Sequence, residues 1–299
     1  MDFGQFCINI LGQSIYYYEK ETKSMLIHKK FMAILFFVFF ATTVIAQVTI
    51  SPTSLFIDSQ RRFETLLIMN SSNSAQEISL SWEFGYPKMD EDGGSVMIYD
   101  DPEEAAMHSA ADWLRGFPKN FILEPGARQT IRITAKAPRG LADGTYWSRL
   151  KTTSSALSAQ VGTEQSAGIS AQINFQFNQI TSIFFKQGEV NTGIDIIKVR
   201  NIVEDKKIRL LANYTKSGNS PFLGTMTAKV FDTSGEVLLD EKIFVSIYYD
   251  GVHRIDLDGS ALPAGSYDYE ISFSSGRPDI PDTDIIPAPT VSARGNFTK

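Results

Sequence analysis

The stretch FILEPGARQTIRI, residues 121–133, holds an apolar run, a Pro-Gly pair and a second run in which apolar and polar residues alternate. Pro125 presets φ at one turn position and Gly126 accepts a positive φ, the pairing that a type II turn requires. Phe121 and Leu123 before the turn, and Ile131 and Ile133 after it, are spaced two apart, so each flank can bury one face as a strand. The stretch predicts a plain β-hairpin with no residue suited to catalysis.

The same pattern extends in both directions. VTISPTSLFID (48–58) is extended and interrupted by a proline, and FETLLIMNSSNSAQEISLSWEF (63–84) reads as two strands around the turn cluster NSSNSAQ. Ile78, Leu80 and Trp82 alternate with Ser79, Ser81 and Glu83, which gives one buried and one wet face. GTYWSRLKTTSS (144–155) adds a strand, and GISAQINFQFNQITSIFF (168–185) is the longest. About seven strands with turn signals at short intervals point to a β-sandwich rather than a βαβ sheet. One helix interrupts them. In DDPEEAAMHSAADWLRGFP (100–118), Asp101 is the expected N-cap, Pro102 the first helical residue, and Glu103 and Glu104 sit in the first turn. Gly116 and Pro118 end it, which predicts a helix over 102–115 with Ala106, Ala110, Trp113 and Leu114 available to cover an edge of the sandwich.

The pattern breaks at KQGEVNTG (186–193), and strand signals then resume through SYDYEISFSS (266–275). TAKVFD and EVLLDEKIFV flank TSG as a second hairpin. The expected class is all-β: two tandem immunoglobulin-like β-sandwich domains with a short helix inserted in the first. The expected boundaries are a leader at 1–46, a first domain at 47–186, a second at 187–275, and a Pro-rich extended tail at 276–299 that lies along the surface.

MLIHKK (25–30) followed by the uncharged apolar run FMAILFFVFFATTVI (31–45) has the anatomy of a secretory signal peptide. The run is short for a membrane span of ~20 residues, although an uncleaved N-terminal anchor is the other reading. Val44 and Ala46 are the small residues that precede cleavage, which is expected between Ala46 and Gln47, with Met25 as the functional start. Residues 1–46 carry one net positive charge, so the mature chain stands at −7 against −6 for the whole. An acidic chain argues against a nucleic-acid partner, because phosphates call for a basic face. The single cysteine, Cys7, leaves with the leader. The exported chain then has no disulfide, thiolate nucleophile or Cys-ligated metal, and its cores must hold the fold alone.

Motifs for chemistry are absent. The two histidines of the mature chain, His108 and His253, fall in different expected domains, no glycines frame a serine as a nucleophile elbow, and no Gly-rich phosphate cradle appears. DEDGG (90–94) and YDDPEE (99–104) lack the alternate-acid spacing of an EF-hand and read as a solvated loop and a helix cap. The chain reads as a non-enzyme with no cofactor, no metal and no small-molecule substrate.

In the longest strand Ile169, Ala171, Ile173, Phe175 and Phe177 recur at every second residue, with Ser170, Gln172, Asn174, Gln176 and Asn178 between them. The phase then slips across Ile180, Ile183, Phe184 and Phe185, which signals a bulge or a change of neighbour. The alternating row is either ordinary core or a row presented on an edge, where it can complete another protein's sheet.

The order VTISPTSLFID, FETLLIMNSS, ISLSWEF, FILEPGARQTIRI, GTYWSRLKTTSS and INFQFNQITSIFFK resembles the PapD-like periplasmic pilus-assembly (fimbrial) chaperones, over roughly residues 48–186. The resemblance implies two immunoglobulin-like domains, a periplasmic location and β-strand donation to a protein client with an incomplete β-sheet, a pilin-like subunit. It also implies an outer-membrane assembly protein as a further partner. Ile173, Phe175 and Phe177 stand where the donated residues would be. The family's basic pair, which anchors a client carboxylate, is replaced by Ser54 and Ser182, leaving Arg61, Arg62 and Lys186 as candidate substitutes. The helix at 102–115 is an addition to the family pattern. A structural or adhesion-type protein with passive β domains, with the cell surface as the alternative location, is one alternative. A secretion-accessory or sorting role is another, since AKVFDTSGEVL and DLDGSALPAGSYDYEI also resemble C-terminal sorting domains of exported bacterial proteins.

Overall fold

Alternation of apolar and polar residues produces strands almost throughout. The structure, a computed structural model, describes residues 48–157 and 175–299. The expected cleavage site at Ala46 and Gln47, and Ile173, lie outside the described residues. In chain order the first half contains β1 (Val48–Ser51), β2 (Ser54–Asp58), β3 (Phe63–Asn70), β4 (Gln76–Glu83), β5 (Tyr86–Met89) and β6 (Ser95–Ile98). Helix α1 (Pro102–His108) and a 3-10 turn (Ala111–Trp113) follow. Then come β7 (Leu114–Phe117), β8 (Asn120–Leu123), β9 (Arg128–Ala135), β10 (Gly144–Ala156) and β11 (Gln176–Gln187). One sheet has the order β1-β3-β9-β7 and the facing sheet β2-β11-β10-β4-β8. Leu66, Ile68, Ile131 and Ile133 from the first sheet meet Ile78, Leu80, Leu150 and Ile183 from the second, all buried. Each such side chain contributes about 1.5–3 kcal/mol of burial.

FILEPGARQTIRI is not a hairpin. β8 pairs with β4 in one sheet and β9 pairs with β3 and β7 in the other, so the Pro-Gly turn is an arch that carries the chain across the sandwich. The turn itself forms as read: Ala127 N donates to Glu124 O at 3.0 Å, and Gly126 has φ 73°. The crossing is held by Asn70, wholly buried at the end of β3. Its backbone exchanges bonds with the arch, donating to Ala127 O at 3.0 Å and accepting from Gly126 N at 2.8 Å. Its Nδ2 donates to Leu123 O and Ser74 O, both at 2.8 Å. These bonds satisfy backbone groups that a hairpin ladder would have satisfied. A Cβ at Gly126 would meet nothing within 4 Å. Gly126→Ala therefore costs backbone strain alone, and a lower urea midpoint worth about 1 kcal/mol with an unchanged m-value is expected.

The helix is shorter than 102–115. Asp101 caps it as read, accepting from Glu104 N, but it ends at His108, and Ser109 is already extended. Leu114 leaves the helix to start β7, whose backbone pairs with β9 along Leu114–Phe117, so edge pairing wins over helix propensity. Nor is there a bulge in β11, which stays in continuous register with β10 from Gly144↔Gln187 to Ser155↔Gln176. The slip in its pattern is a change of neighbour: β2 joins on its other side only from Ser182 to Lys186, in parallel.

The second sandwich comprises β12 (Thr192–Val203), β13 (Lys207–Gly218), β14 (Phe222–Phe231), β15 (Val237–Ile247), β16 (Gly251–Asp258), β17 (Ser266–Ser275) and β18 (Val291–Thr298). Its sheets have the orders β12-β13-β16 and β15-β14-β17-β18. The TSG turn closes the β14–β15 hairpin as read, with Asp232 Oδ1 accepting from Ser234 N and Glu236 N. The tail departs from its expected course along the surface. Residues 291–298 form β18, paired with β17, and Phe297 is buried against Tyr267 and Tyr269. The alternation of Val291, Ala293, Gly295 and Phe297 was a strand signal that the prolines before it obscured. The described residues thus form two tandem β-sandwiches with one short α-helix.

Candidate functional site

β11 carries two different surfaces. On its core-facing side Phe185, Ile183 and Thr181 are buried, and Gln179 Nε2 reaches Val48 O at 2.9 Å. Continuing toward the N-terminal end in the same phase, Phe177 is 43% exposed and Phe175 64%. Their rings lie 6.5 Å apart and tilted. These two residues keep the periodicity of the core but project past the point where the opposite sheet covers it. Over Gln176–Thr181 the strand is paired with β10 on one side, and among the described residues no strand pairs with its other side. An apolar row beside unpaired main-chain donors and acceptors is the chemistry of sheet extension.

The outward side of the same strand faces the second sandwich. Ser54 and Ser182 are register partners, side by side on β2 and β11. Beyond Ser182, on β10, its other register partner is Arg149, a residue that the sequence reading did not single out. Arg149 is 5% exposed and donates to Ser182 Oγ, to Gly85 O at 2.9 Å and to Tyr248 OH at 3.0 Å. It forms no ion pair among the described residues. A guanidinium from the neighbouring strand therefore occupies the place where the resemblance implies a basic pair, and Tyr248 from the second half closes over it. The available signal was an arginine in a strand with large residues on both faces, Tyr146 and Leu150 on one and Trp147 on the other, which marks a strand covered on both sides.

The substitutes read from sequence do different work. Arg61 pairs with Asp284 at 2.8 Å and Glu64 at 3.0 Å, and also donates to Phe56 O. Lys186 donates to Asp284 O at 2.6 Å and lies 5.2 Å from the Phe56 ring centre. Burial pulls the Lys186 ammonium below its usual range against the opposing pull of Asp284 and Asp58. Both side chains thus tie the first sandwich to the loop between β17 and β18. Arg62 is exposed, and its Nε donates to Ser59 O at 3.1 Å.

An aromatic cluster completes the junction. Phe56 stacks on Phe184 with centroids 5.0 Å apart, Trp147 meets Tyr248 edge-on at 4.9 Å, and Ile280 from the same loop is buried against them. A cavity of about 760 Å³ opens beside it, with Lys88, Glu104, His108, Lys216 and Asp250 among its walls. His108 stacks on Trp147 and sits 3.7 Å from Glu104, and burial lowers its pKa. His253 is separate, inside the second sandwich, where burial lowers its pKa to about 4 and Nδ1 pairs with Tyr214 OH at 2.8 Å. It is neutral at pH 7. The described residues contain no group of three or more His, Cys, Asp or Glu placed to hold a metal.

No protein-family model and no curated protein matches this sequence. Among the solved structures that it resembles are chaperones, some of them of fimbriae. The YadV chaperone is 11% identical over 85% of this chain and 100% of its own, with a TM-score of 0.42. The CsuC–CsuE chaperone–tip adhesion subunit pre-assembly complex from archaic chaperone-usher pili of Acinetobacter baumannii contains a chain 13% identical, covering 83% and 98%, at 0.40. The Salmonella enterica complex of SafA pilin with the SafB chaperone contains one 14% identical, covering 87% and 99%, at 0.37. Likenesses of this strength assign no function to the chain.

Proposed function

We propose that this protein is a non-enzymatic periplasmic chaperone that holds secreted, pilin-like subunits by lending them the N-terminal part of β11. The observation that carries this reading is the core-phase row that leaves its own core: Phe175 and Phe177 exposed beside a strand edge that no other described strand pairs. A client lacking one strand supplies the missing environment. Its backbone pairs with Gln176–Thr181, and its open groove takes the two rings. The resemblance of residues 48–186 to the PapD-like family supports the same reading, with Ile173 continuing the row. Anchoring differs from that family, since Arg149 is enclosed by Ser182 and Tyr248 and Arg61 is held by Asp284. Strand pairing and the phenylalanines then carry the affinity.

The test is recovery of the client. Tagged protein purified from the envelope of its native host should bring down a small β-rich subunit in stoichiometric amount, with the donated strand protected from hydrogen exchange. Recovery of the protein alone, with Phe175 and Phe177 solvent-accessible in the native envelope, overturns the reading. Cell fractionation gives a second expectation, that the mature chain begins at Gln47 and is released with the periplasmic contents. Retention on the outer surface points instead to the adhesion or secretion-accessory role.

A further inference from the structure

The outer face of the sheet β1-β3-β9-β7 has a composition unlike the rest of this acidic chain. Register places Arg115, Arg128 and Arg132 on that face together with Phe63, Leu67 and Phe117. Its remaining strand positions are Thr, Ser and Met, with no Asp, Glu or Lys among them. None of the three arginines forms an ion pair among the described residues. Phe117 is 80% exposed, Phe63 lies under Arg132 with the guanidinium 4.1 Å from the ring centre, and Leu67 is also exposed. Arginine and aromatic residues without acids or lysines are the composition of a protein-binding surface rather than of a merely solvated one. Exposed apolar area next to unpaired charge is otherwise unfavourable to leave open.

The complementary surface is on the same chain. Residues 90–104 contain seven acidic residues and no basic one. They span the turn after β5, strand β6 and the start of α1, and Glu91, Asp100 and Glu103 are exposed without an ion pair among the described residues. Val96, Met97 and Tyr99 are exposed between these acids. This insert therefore pairs negative charge with apolar side chains, as the sheet face pairs positive charge with them. We infer that the protein self-associates head to tail, the acidic insert of one copy docking on the arginine face of the next. Such a contact is heterologous: an open assembly keeps one free face at one end and one free insert at the other, so it continues beyond the dimer. Charge sets the association rate and selects the partner, and burial of Phe117 slows dissociation.

Sedimentation of the full chain over a concentration series tests this. At roughly 0.1 M salt, where charges reach about 10 Å, species larger than a dimer are expected, and at about 1 M salt, where they reach about 3 Å, monomer. Arg115→Glu/Arg132→Glu and Glu91→Lys/Glu103→Lys should each weaken self-association at least tenfold. All four side chains are exposed, and thermal melts that superimpose on the wild type confirm folding. An equal mixture of the two variants should associate again, because one retains the insert and the other the face. A monomer at every concentration in low salt overturns the inference, as does a mixture that does not pair. Arg128→Glu alone, with an intermediate loss, is the companion measurement if either double variant melts early.

Discussion

Phe177→Asp is expected to abolish recovery of the client while leaving the thermal melt of the isolated protein within a few degrees of wild type. The two readouts separate because Phe177 follows the periodicity of the core without being enclosed by it. In the free protein its ring touches Phe175 and remains 43% exposed, so the substitution forfeits little packing. In the complex the same ring would be an anchor in a closed groove. Losing such an anchor costs about 2–4 kcal/mol, and burying an unpaired carboxylate adds to it. Affinity should fall by at least about a hundredfold. Phe175→Asp, at a position 64% exposed, should behave alike with a still smaller effect on stability. A binding-competent Phe177→Asp protein defeats the strand-donation reading outright. A variant that unfolds shows that Phe177 contributes to the sandwich, and Phe175→Asp then decides the question.

The largest loss of stability is expected from Asn70→Ala. Asn70 is wholly buried, and its amide nitrogen is bonded to two main-chain carbonyls, those of Leu123 and Ser74. Its Oδ1 accepts from Ser72 N at 3.0 Å and from Ser72 Oγ at 2.7 Å. Alanine would leave Leu123 O without a partner in the core and loosen the turn at Ser72–Ser74, whose groups lie nearer the surface and keep the Ser72 Oγ–Ser74 O bond at 2.9 Å. At about 1–3 kcal/mol per orphaned buried group, a net loss of about 3 kcal/mol is expected. That corresponds to a fall in Tm of about 6–12 °C for a chain of this size. Asn70→Asp should cost about as much, because it keeps the bonds made by Oδ1 but sets a buried carboxylate oxygen against the Leu123 and Ser74 carbonyls. If both variants melt with wild type, the arch does not depend on Asn70.

Much of the architecture was legible because strands leave a local trace. A period of two, as in Ile78, Leu80 and Trp82, reports one buried face whatever lies opposite, and every such segment of the described chain is a strand. Turn chemistry was equally local: the Pro125-Gly126 turn and the Thr233-Ser234-Gly235 hairpin form as read. The helix start was legible from its cap, whereas its end was not, because Leu114–Phe117 gains more from pairing with β9 than from a further helical turn.

Partnership was a different matter. Alternation states that a strand has a partner and not which one, so two strands joined by a perfect turn were assigned to each other when they belong to opposite sheets. The same limit hid Arg149, whose meaning depends on lying beside Ser182 on the next strand and beneath Tyr248 from the other sandwich. It also left Phe175 and Phe177 undecided between core and edge, since exposure depends on where the facing sheet stops. The sequence by itself determined the all-β character, the two-domain plan and the turns, because these rest on contacts within a few residues. Only the tertiary structure decided the pairing, the closed basic site and the exposed end of β11, because these rest on residues far apart in sequence that meet only when the sheets pack.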